Sequence, residues 1–146
     1  MEIFLAADSA GKPLLDVIEG HLNSKNKFVI KNLSKEGYYA DIAADLCHEV
    51  LKAKNSRGFL FCGTGIGVCI AANKVSGIRA ALTHDTYSAE RAAKSNNAQI
   101  ITMGARVIGP ELAKSISDTW LECSFDPHGA SAANVAAINR IDAKKL

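Results

Sequence analysis

The chain has 146 residues, 48% of them hydrophobic and 22% charged, which predicts one folded domain over residues 1–146 and excludes a disordered chain. Its 17 basic and 15 acidic residues are spread along the sequence and leave a formal charge of +2, so no nucleic-acid or membrane surface is predicted. No apolar run approaches the ~20 residues of a membrane span, the first residues lack a signal-peptide pattern, and the four cysteines show no paired spacing, so we expect a cytoplasmic protein without a zinc site or disulfides.

Short apolar segments alternate with helical patterns along the whole chain, which is typical of repeated βαβ units. Strands are predicted at about residues 2–7, 27–33, 58–62, 77–83 and 98–103. Helices are predicted at about residues 11–23, 39–54, 66–74, 85–95, 109–122 and 131–144. Continuous apolar strands indicate a parallel sheet covered on both faces, so the fold class is α/β, open and doubly wound, with five strands. In such sheets ligands bind outside the carboxyl ends of the strands.

The third strand is followed by the segment Cys62-Gly63-Thr64-Gly65-Ile66-Gly67. Its glycines let the backbone approach a ligand closely, with amides directed at negative charge. The segment lacks the Gly-Lys-Ser/Thr of a nucleotide-binding P-loop, and its glycine spacing differs from that of dinucleotide-binding loops. We therefore predict a cradle for an anion or an oxyanion, and neither a bound nucleotide nor any other cofactor.

Cys62 begins this cradle, where the amides favour a thiolate that could act as a general base. It could equally be a small buried apolar residue, as free cysteines often are. The other cysteines, at positions 47, 69 and 123, lie in or near predicted helices and are interpreted as structural.

Other chemistry-bearing residues also flank the strands. Asp8 and Ser9 follow the first strand, and Asp8 is either a ligand of a substrate hydroxyl or a cap of the next helix. Arg106 follows the fifth strand and offers a planar cation suited to phosphate, although an exposed arginine is often merely solvated. His84 follows the fourth strand, where capping or exposure to solvent is favoured over catalysis.

The cradle and Arg106 belong to four ordered blocks that give the chain its family resemblance. The blocks are Cys62-Gly63-Thr64-Gly65-Ile66-Gly67, Ala71-Ala72-Asn73-Lys74, Gly77-Ile78-Arg79-Ala80 and Gly104-Ala105-Arg106-Val107-Ile108-Gly109. Over nearly its whole length the chain resembles the ribose-5-phosphate isomerase B and galactose-6-phosphate isomerase family. The resemblance implies a Rossmann-like α/β/α sandwich, a sugar-phosphate substrate, and a homodimer or tetramer whose active sites lie at the subunit interface, with the helix near 131–144 at that interface.

The resemblance also implies roles for individual residues. Cys62 would be the base that moves the proton, Thr64 and the glycines at 63, 65 and 67 would stabilise the enediolate, and Asp8 and Tyr39 would contact sugar hydroxyls. The remaining predicted substrate-binding residues are Ser9, Asn73, Ser95, Asn96, Arg106, Ser131 and Asn134. The resemblance implies no metal ion and no other cofactor.

The chain departs from the family pattern at both ends of the predicted site. Asp8-Ser9 stands where ribose-5-phosphate isomerases of this type have Asp-His, and Ser95-Asn96 stands in place of His-Asn. The family's Gly-Arg-His-x-x-Arg is replaced by residues 129–134, so Arg106 is the main phosphate arginine retained.

Ser95 replaces the histidine that opens the furanose ring in the family. A tetrose 4-phosphate cannot form that ring, so we predict a D-erythrulose-4-phosphate isomerase, in keeping with a resemblance to the erythritol-catabolic branch. One alternative is a ribose or hexose phosphate substrate, with His84 or solvent opening the ring. An alternative of another class is a non-catalytic subunit that binds a sugar phosphate, against which the retained Cys62 argues.

Overall fold

A computed structural model describes residues 1–143 and contains one five-stranded parallel sheet. The strands are β1 (Glu2–Ala7), β2 (Val29–Asn32), β3 (Ser56–Cys62), β4 (Ala80–Leu82) and β5 (Ile100–Gly104). Their order across the sheet is β2-β1-β3-β5-β4. The chain leaves β1 toward β2 on one side, whereas β3 lies on the other side, so the strand order reverses between β1 and β3. Ligands of open α/β sheets bind at the carboxyl side of this reversal.

Helices cover both faces of the sheet and form the outer layers of an α/β/α sandwich. They are α1 (Lys12–Ser24), α2 (Tyr39–Lys52), α3 (Ile66–Ala72), α4 (Thr86–Lys94), α5 (Pro110–Glu122) and α6 (Ala132–Ala143). Prolines in the first turns of α1 and α5 and the Asp85 carboxylate at the start of α4 favour these helix starts.

The alternating side chains of β1 and β3 build two hydrophobic cores. On one face Leu5 and Phe59 pack with α1, α4 and α5, and the Phe59 ring meets Trp120 edge-on at 5.0 Å between centroids. On the other face Phe4 and Leu60 pack with α2 and α3. Cys62 belongs to this second face, so its side chain points toward the start of α3.

The structure confirms the predicted fold class and the element order. The predicted first strand matches the observed bounds of β1, but β4 is shorter than the predicted 77–83. Gly77 adopts a left-handed backbone with φ +89°, which keeps the preceding turn out of the sheet. The predicted last helix extends to residue 144, which lies outside the described residues. Within residues 1–143 no helix is both long and apolar enough to cross a membrane.

Candidate active site

The turn from β1 into α1 packs directly against the end of β3. A Cβ added to Gly11 would lie 2.3 Å from the Phe61 carbonyl carbon and 2.6 Å from the Cys62 nitrogen. Asp8 precedes this contact, and its Oδ1 accepts a 2.9 Å hydrogen bond from the Gly11 amide. The structure therefore brings Asp8 and Ser9 close to Cys62 and also gives Asp8 a role in shaping the turn.

Cys62 lies at the base of the predicted cradle with only 6% of its surface exposed. Its Sγ accepts a hydrogen bond from the Gly65 amide at 3.0 Å. Gly65 directly precedes α3 and has φ +76°, a backbone conformation that residues other than glycine rarely adopt. This backbone conformation directs the Gly65 amide at the sulfur, so the cradle supplies Cys62 with a hydrogen-bond donor.

The end of β5 supports the cradle from below. A Cβ on Gly104 would lie 2.5 Å from the Thr64 carbonyl carbon, so the two backbones are in direct contact and only glycine fits. The Cys62 carbonyl accepts a 2.9 Å hydrogen bond from the Ala105 amide. The Thr102 hydroxyl donates a 2.8 Å bond to the Gly65 carbonyl. The cradle is therefore held by backbone contacts from the neighbouring strand.

Two larger side chains lie over the glycines of the cradle. The guanidinium of exposed Arg106 lies 3.0 Å from the Cβ position of Gly63, and the Tyr39 ring lies 2.8 Å from that of Gly67. Within residues 1–143 Arg106 forms no ion pair with a carboxylate. The Arg106 charge is therefore free to attract an anion beside the cradle.

A cleft of about 490 Å³ opens at the carboxyl ends of β1 and β2. Asp8, Ser9, Lys12, Ser34 and Lys35 are among its lining residues. Lys12 pairs with Asp16 at 2.6 Å and Lys35 pairs with Asp45, and both lysines are exposed. Neither lysine is predicted from the sequence, because a surface lysine carries no pattern until the fold places it beside a cleft.

Three predicted site residues lie at the amino ends of the strands, opposite the cradle. Ser95 and Asn96 follow the end of α4 and precede β5, so they lie at the amino end of that strand. Asn73 ends α3, and its amide exchanges hydrogen bonds of 2.9 and 3.0 Å with the backbone of Ala80 at the start of β4. One chain therefore does not bring Ser95, Asn96 and Asn73 together with Cys62.

Ser131 directly precedes α6, and Asn134 lies in the first turn of this helix. Further along this helix, Asn139 accepts a hydrogen bond from Arg79 and Asp142 accepts one from the Gly77 amide. These contacts attach the last turns of α6 to the amino ends of the strands, where Ser95 also lies. Only Val135 of α6 is buried, which leaves most of the helix surface free.

The other cysteines differ from Cys62 in their surroundings. Burial raises the pKa of Cys47 to about 12, and burial also raises the pKa of Cys69. Both thiols are kept protonated in packed helices, which agrees with a structural role. The described part of the chain contains no group of three or more His, Cys, Asp or Glu side chains that could hold a metal ion.

Comparison with known proteins identifies the family. The model of the family described as Ribose/Galactose Isomerase matches residues 3–138. The chain belongs to this family. It is therefore an enzyme, a sugar-phosphate isomerase, which confirms the prediction from the four sequence blocks.

Two curated relatives and one solved structure show how far the similarity extends. The chain is 50% identical to a D-erythrulose-4-phosphate isomerase of Pectobacterium atrosepticum, over 90% of this chain and 89% of the relative. It is 47% identical to a ribose-5-P isomerase B of Listeria innocua, over 99% of each chain. Its fold matches Clostridium thermocellum ribose-5-phosphate isomerase B with a TM-score of 0.92 at 35% identity, over 98% of each chain.

Proposed function

We propose that this isomerase interconverts D-erythrulose 4-phosphate and D-erythrose 4-phosphate. The thiolate of Cys62 takes a proton from carbon 1 of the ketose and returns it to carbon 2 of the enediolate. The hydroxyl proton passes from oxygen 1 to oxygen 2, so the reaction needs no electron acceptor. The observation that carries the proposal is the 3.0 Å hydrogen bond from the Gly65 amide to the Cys62 sulfur inside a cradle of backbone amides.

The cradle supplies the electrostatic part of this mechanism. Charge develops on the two oxygens of the enediolate, and donors already oriented toward those oxygens stabilise it at no cost of reorganisation. In the proposal the amides of residues 63, 64 and 67 and the exposed Thr64 hydroxyl are these donors, while Asp8 and Tyr39 contact the sugar hydroxyls. The contact between Gly104 and Thr64 supports this role because it fixes the cradle backbone before substrate arrives.

The phosphate end of the proposed site is the cleft beside Ser9. Lys12 and Lys35 line this cleft, and Arg106 lies against Gly63 of the cradle. Both lysines pair with exposed carboxylates, and such surface ion pairs are worth only about 0–1 kcal/mol. Lys12 and Lys35 can therefore leave their carboxylates and bind a phosphate dianion at a small free-energy cost. In the proposal they replace the arginines missing from residues 129–134.

Two observations favour a tetrose over a pentose. The relative at 50% identity is named for D-erythrulose 4-phosphate. In addition, His84 is poorly suited to replace the missing ring-opening histidine, because its Nε2 already accepts a hydrogen bond from the Gly104 amide at 2.9 Å. An enzyme without a ring-opening group depends on the open-chain form, which a tetrose 4-phosphate always supplies.

We also propose that the active enzyme is a cytoplasmic homo-oligomer, a dimer or a tetramer. Ser95, Asn96 and the start of α6 would then meet Cys62 across the subunit interface, because one chain separates them. Large apolar side chains lie exposed along α3, with Ile66 and Ile70 exposed by 50% and 57%. Such a face is typical of an interface between subunits. Sedimentation velocity would test it, and an active monomer would contradict it.

A substrate panel tests the proposed reaction. Values of kcat/KM are measured for D-erythrulose 4-phosphate, D-ribulose 5-phosphate and a ketohexose 6-phosphate. We expect the tetrose to be preferred, and Ser95→His to improve turnover of a furanose-forming aldose phosphate more than that of the tetrose. Equal efficiency of the wild-type enzyme with ribose 5-phosphate and the tetrose would contradict the ring-opening argument.

A further inference from the structure

His84 lies in the connection from β4 to α4 and is partly buried. Its Nε2 accepts the 2.9 Å hydrogen bond from the amide of Gly104. A ring nitrogen accepts such a bond only when it carries no proton, so the imidazole is neutral with its proton on Nδ1. His84 thus has a defined tautomer as well as a defined contact.

The amide that His84 holds belongs to the strand end that supports the cradle. The Gly104 backbone touches Thr64, and the next two amides of this segment donate 2.9 Å bonds to the carbonyls of Cys62 and Gly63. A displacement of Gly104 therefore displaces the peptide unit formed by the Thr64 carbonyl and the Gly65 amide. That amide is the donor to the Cys62 sulfur.

The surroundings of His84 favour the neutral ring. Burial lowers the pKa of His84, and the charge of Asp85 opposes this effect. The Asp85 carboxylate is itself engaged by the Ser88 amide and hydroxyl, each at 2.6 Å. Other ionisable groups near this loop include Tyr87 and the Glu90–Arg91 ion pair on α4, and the Cys69 thiol on α3. The Cys62 thiol ends β3, and the Arg106 guanidinium follows β5.

We propose that His84 is a positioning residue of the isomerase, whose neutral imidazole anchors the Gly104 amide and thereby holds the cradle around Cys62. Protonation of Nε2 replaces an acceptor with a second donor facing the Gly104 amide, so the anchor is lost. Activity therefore falls as the pH drops through the pKa of His84, below the usual histidine value of about 6.5. The catalytic part of this inference rests on the proposed function, whereas the anchor itself does not.

Kinetics of three variants test the catalytic part, with D-erythrulose 4-phosphate as substrate between pH 5 and pH 8. His84→Gln retains an acceptor without a titrating ring, His84→Leu removes the acceptor, and His128→Gln changes an exposed histidine in a loop as the control. At neutral pH we expect His84→Leu to lose about tenfold in kcat with little change in KM, the rate equivalent of one hydrogen bond. His84→Gln should keep most of kcat, and the control should match the wild type.

The ratio of wild-type to His84→Gln activity isolates the titration of His84, because the two proteins share every other ionisable group. This ratio should fall at acidic pH through a single ionisation. A ratio that stays constant with pH, or a His84→Leu variant with wild-type kcat and a normal melting temperature, would overturn the positioning role.

Nuclear magnetic resonance tests the anchor without relying on catalysis. Long-range ¹H–¹⁵N spectra of wild-type enzyme and of Cys62→Ala should show His84 with an unprotonated Nε2 at neutral pH. The Gly104 amide shift should titrate with the same midpoint as His84. A protonated Nε2 at neutral pH would refute the anchor even if the enzyme is active, and failure of the substrate panel would leave this measurement unaffected.

Discussion

The two ends of the proposed site are built differently. At the reacting end Cys62 is nearly buried, its sulfur accepts a defined hydrogen bond, and strand β5 supports the surrounding backbone. At the phosphate end Lys12 and Lys35 are exposed and extend from the rim of an open cleft. Proton transfer requires atoms placed to within a fraction of an ångström, whereas attraction of a dianion tolerates mobile charges. Substrate preference can therefore change at the phosphate end while the reacting end stays the same.

Removal of the base should have the largest effect. We expect Cys62→Ala to lower kcat by at least 10²–10⁴-fold, the usual contribution of a general base, with little change in KM. Steady-state kinetics would measure this loss, and Cys123→Ser, at a half-buried thiol outside the cradle, is the control. Near-normal turnover by a folded Cys62→Ala protein would remove the cysteine from the mechanism.

Displacement of the cradle should have the next largest effect. In Gly104→Ala the new methyl group would lie 2.5 Å from the Thr64 backbone, so the peptide must shift. We expect roughly a 10²-fold loss of kcat, as misplaced catalytic groups typically cause, and a lower melting temperature. Gly109→Ala is the control, because a Cβ there meets nothing within 4 Å. Equal activity of the two variants would show that the β5 contact does not shape the cradle.

Changes at the phosphate end should be smaller and should appear in KM. Lys12→Met is expected to raise KM for D-erythrulose 4-phosphate about tenfold and to leave kcat nearly unchanged, because one charged hydrogen bond to phosphate is lost. Lys52→Met is a close control, since Lys52 is 71% exposed against 65% for Lys12 and also pairs with a carboxylate on its own helix. An unchanged KM in Lys12→Met would place the phosphate elsewhere.

Removal of metal ions should have the smallest effect. The proposed mechanism stabilises the enediolate with amides and a hydroxyl, so extensive dialysis against EDTA should leave kcat and KM unchanged. The assay is repeated after addition of Mg²⁺, Mn²⁺ or Zn²⁺. Activity lost on chelation and restored by one of these ions would contradict the cofactor-free mechanism.

The sequence predicts the elements of this fold because the local patterns agree with the tertiary structure. The bounds of β1 match the predicted strand 2–7, and both faces of this strand are buried from Ile3 to Ala7. The cradle is also predictable, since closely spaced glycines directly after a buried strand are typical of a loop whose backbone approaches a ligand. The strand predicted at 77–83 is too long because the left-handed backbone of Gly77 depends on its surroundings, including the Asp142 carboxylate.

Long-range contacts account for the rest of the site. The bond between His84 and Gly104 joins residues twenty positions apart, and no periodicity signals it. The separation of Ser95 from Cys62, by contrast, could be read from chain order. A residue between a helix and the next parallel strand lies at the amino ends of the strands. The helix α4 alone spans about 13 Å between the carboxyl and the amino ends of the strands.

The strand order also has a consequence for synthesis of the enzyme. β3 pairs with β1 and β5, so its two edges are completed by segments that lie far before and after it in the chain. During translation, the edge of β3 that β5 will cover stays open until residue 104 has left the ribosome, with Phe59 and Phe61 still lacking part of their cover. Such non-local parallel pairing forms slowly and leaves unpaired strand edges that are prone to aggregation. Nascent chains that end before β5 should therefore bind chaperones that recognise extended apolar segments.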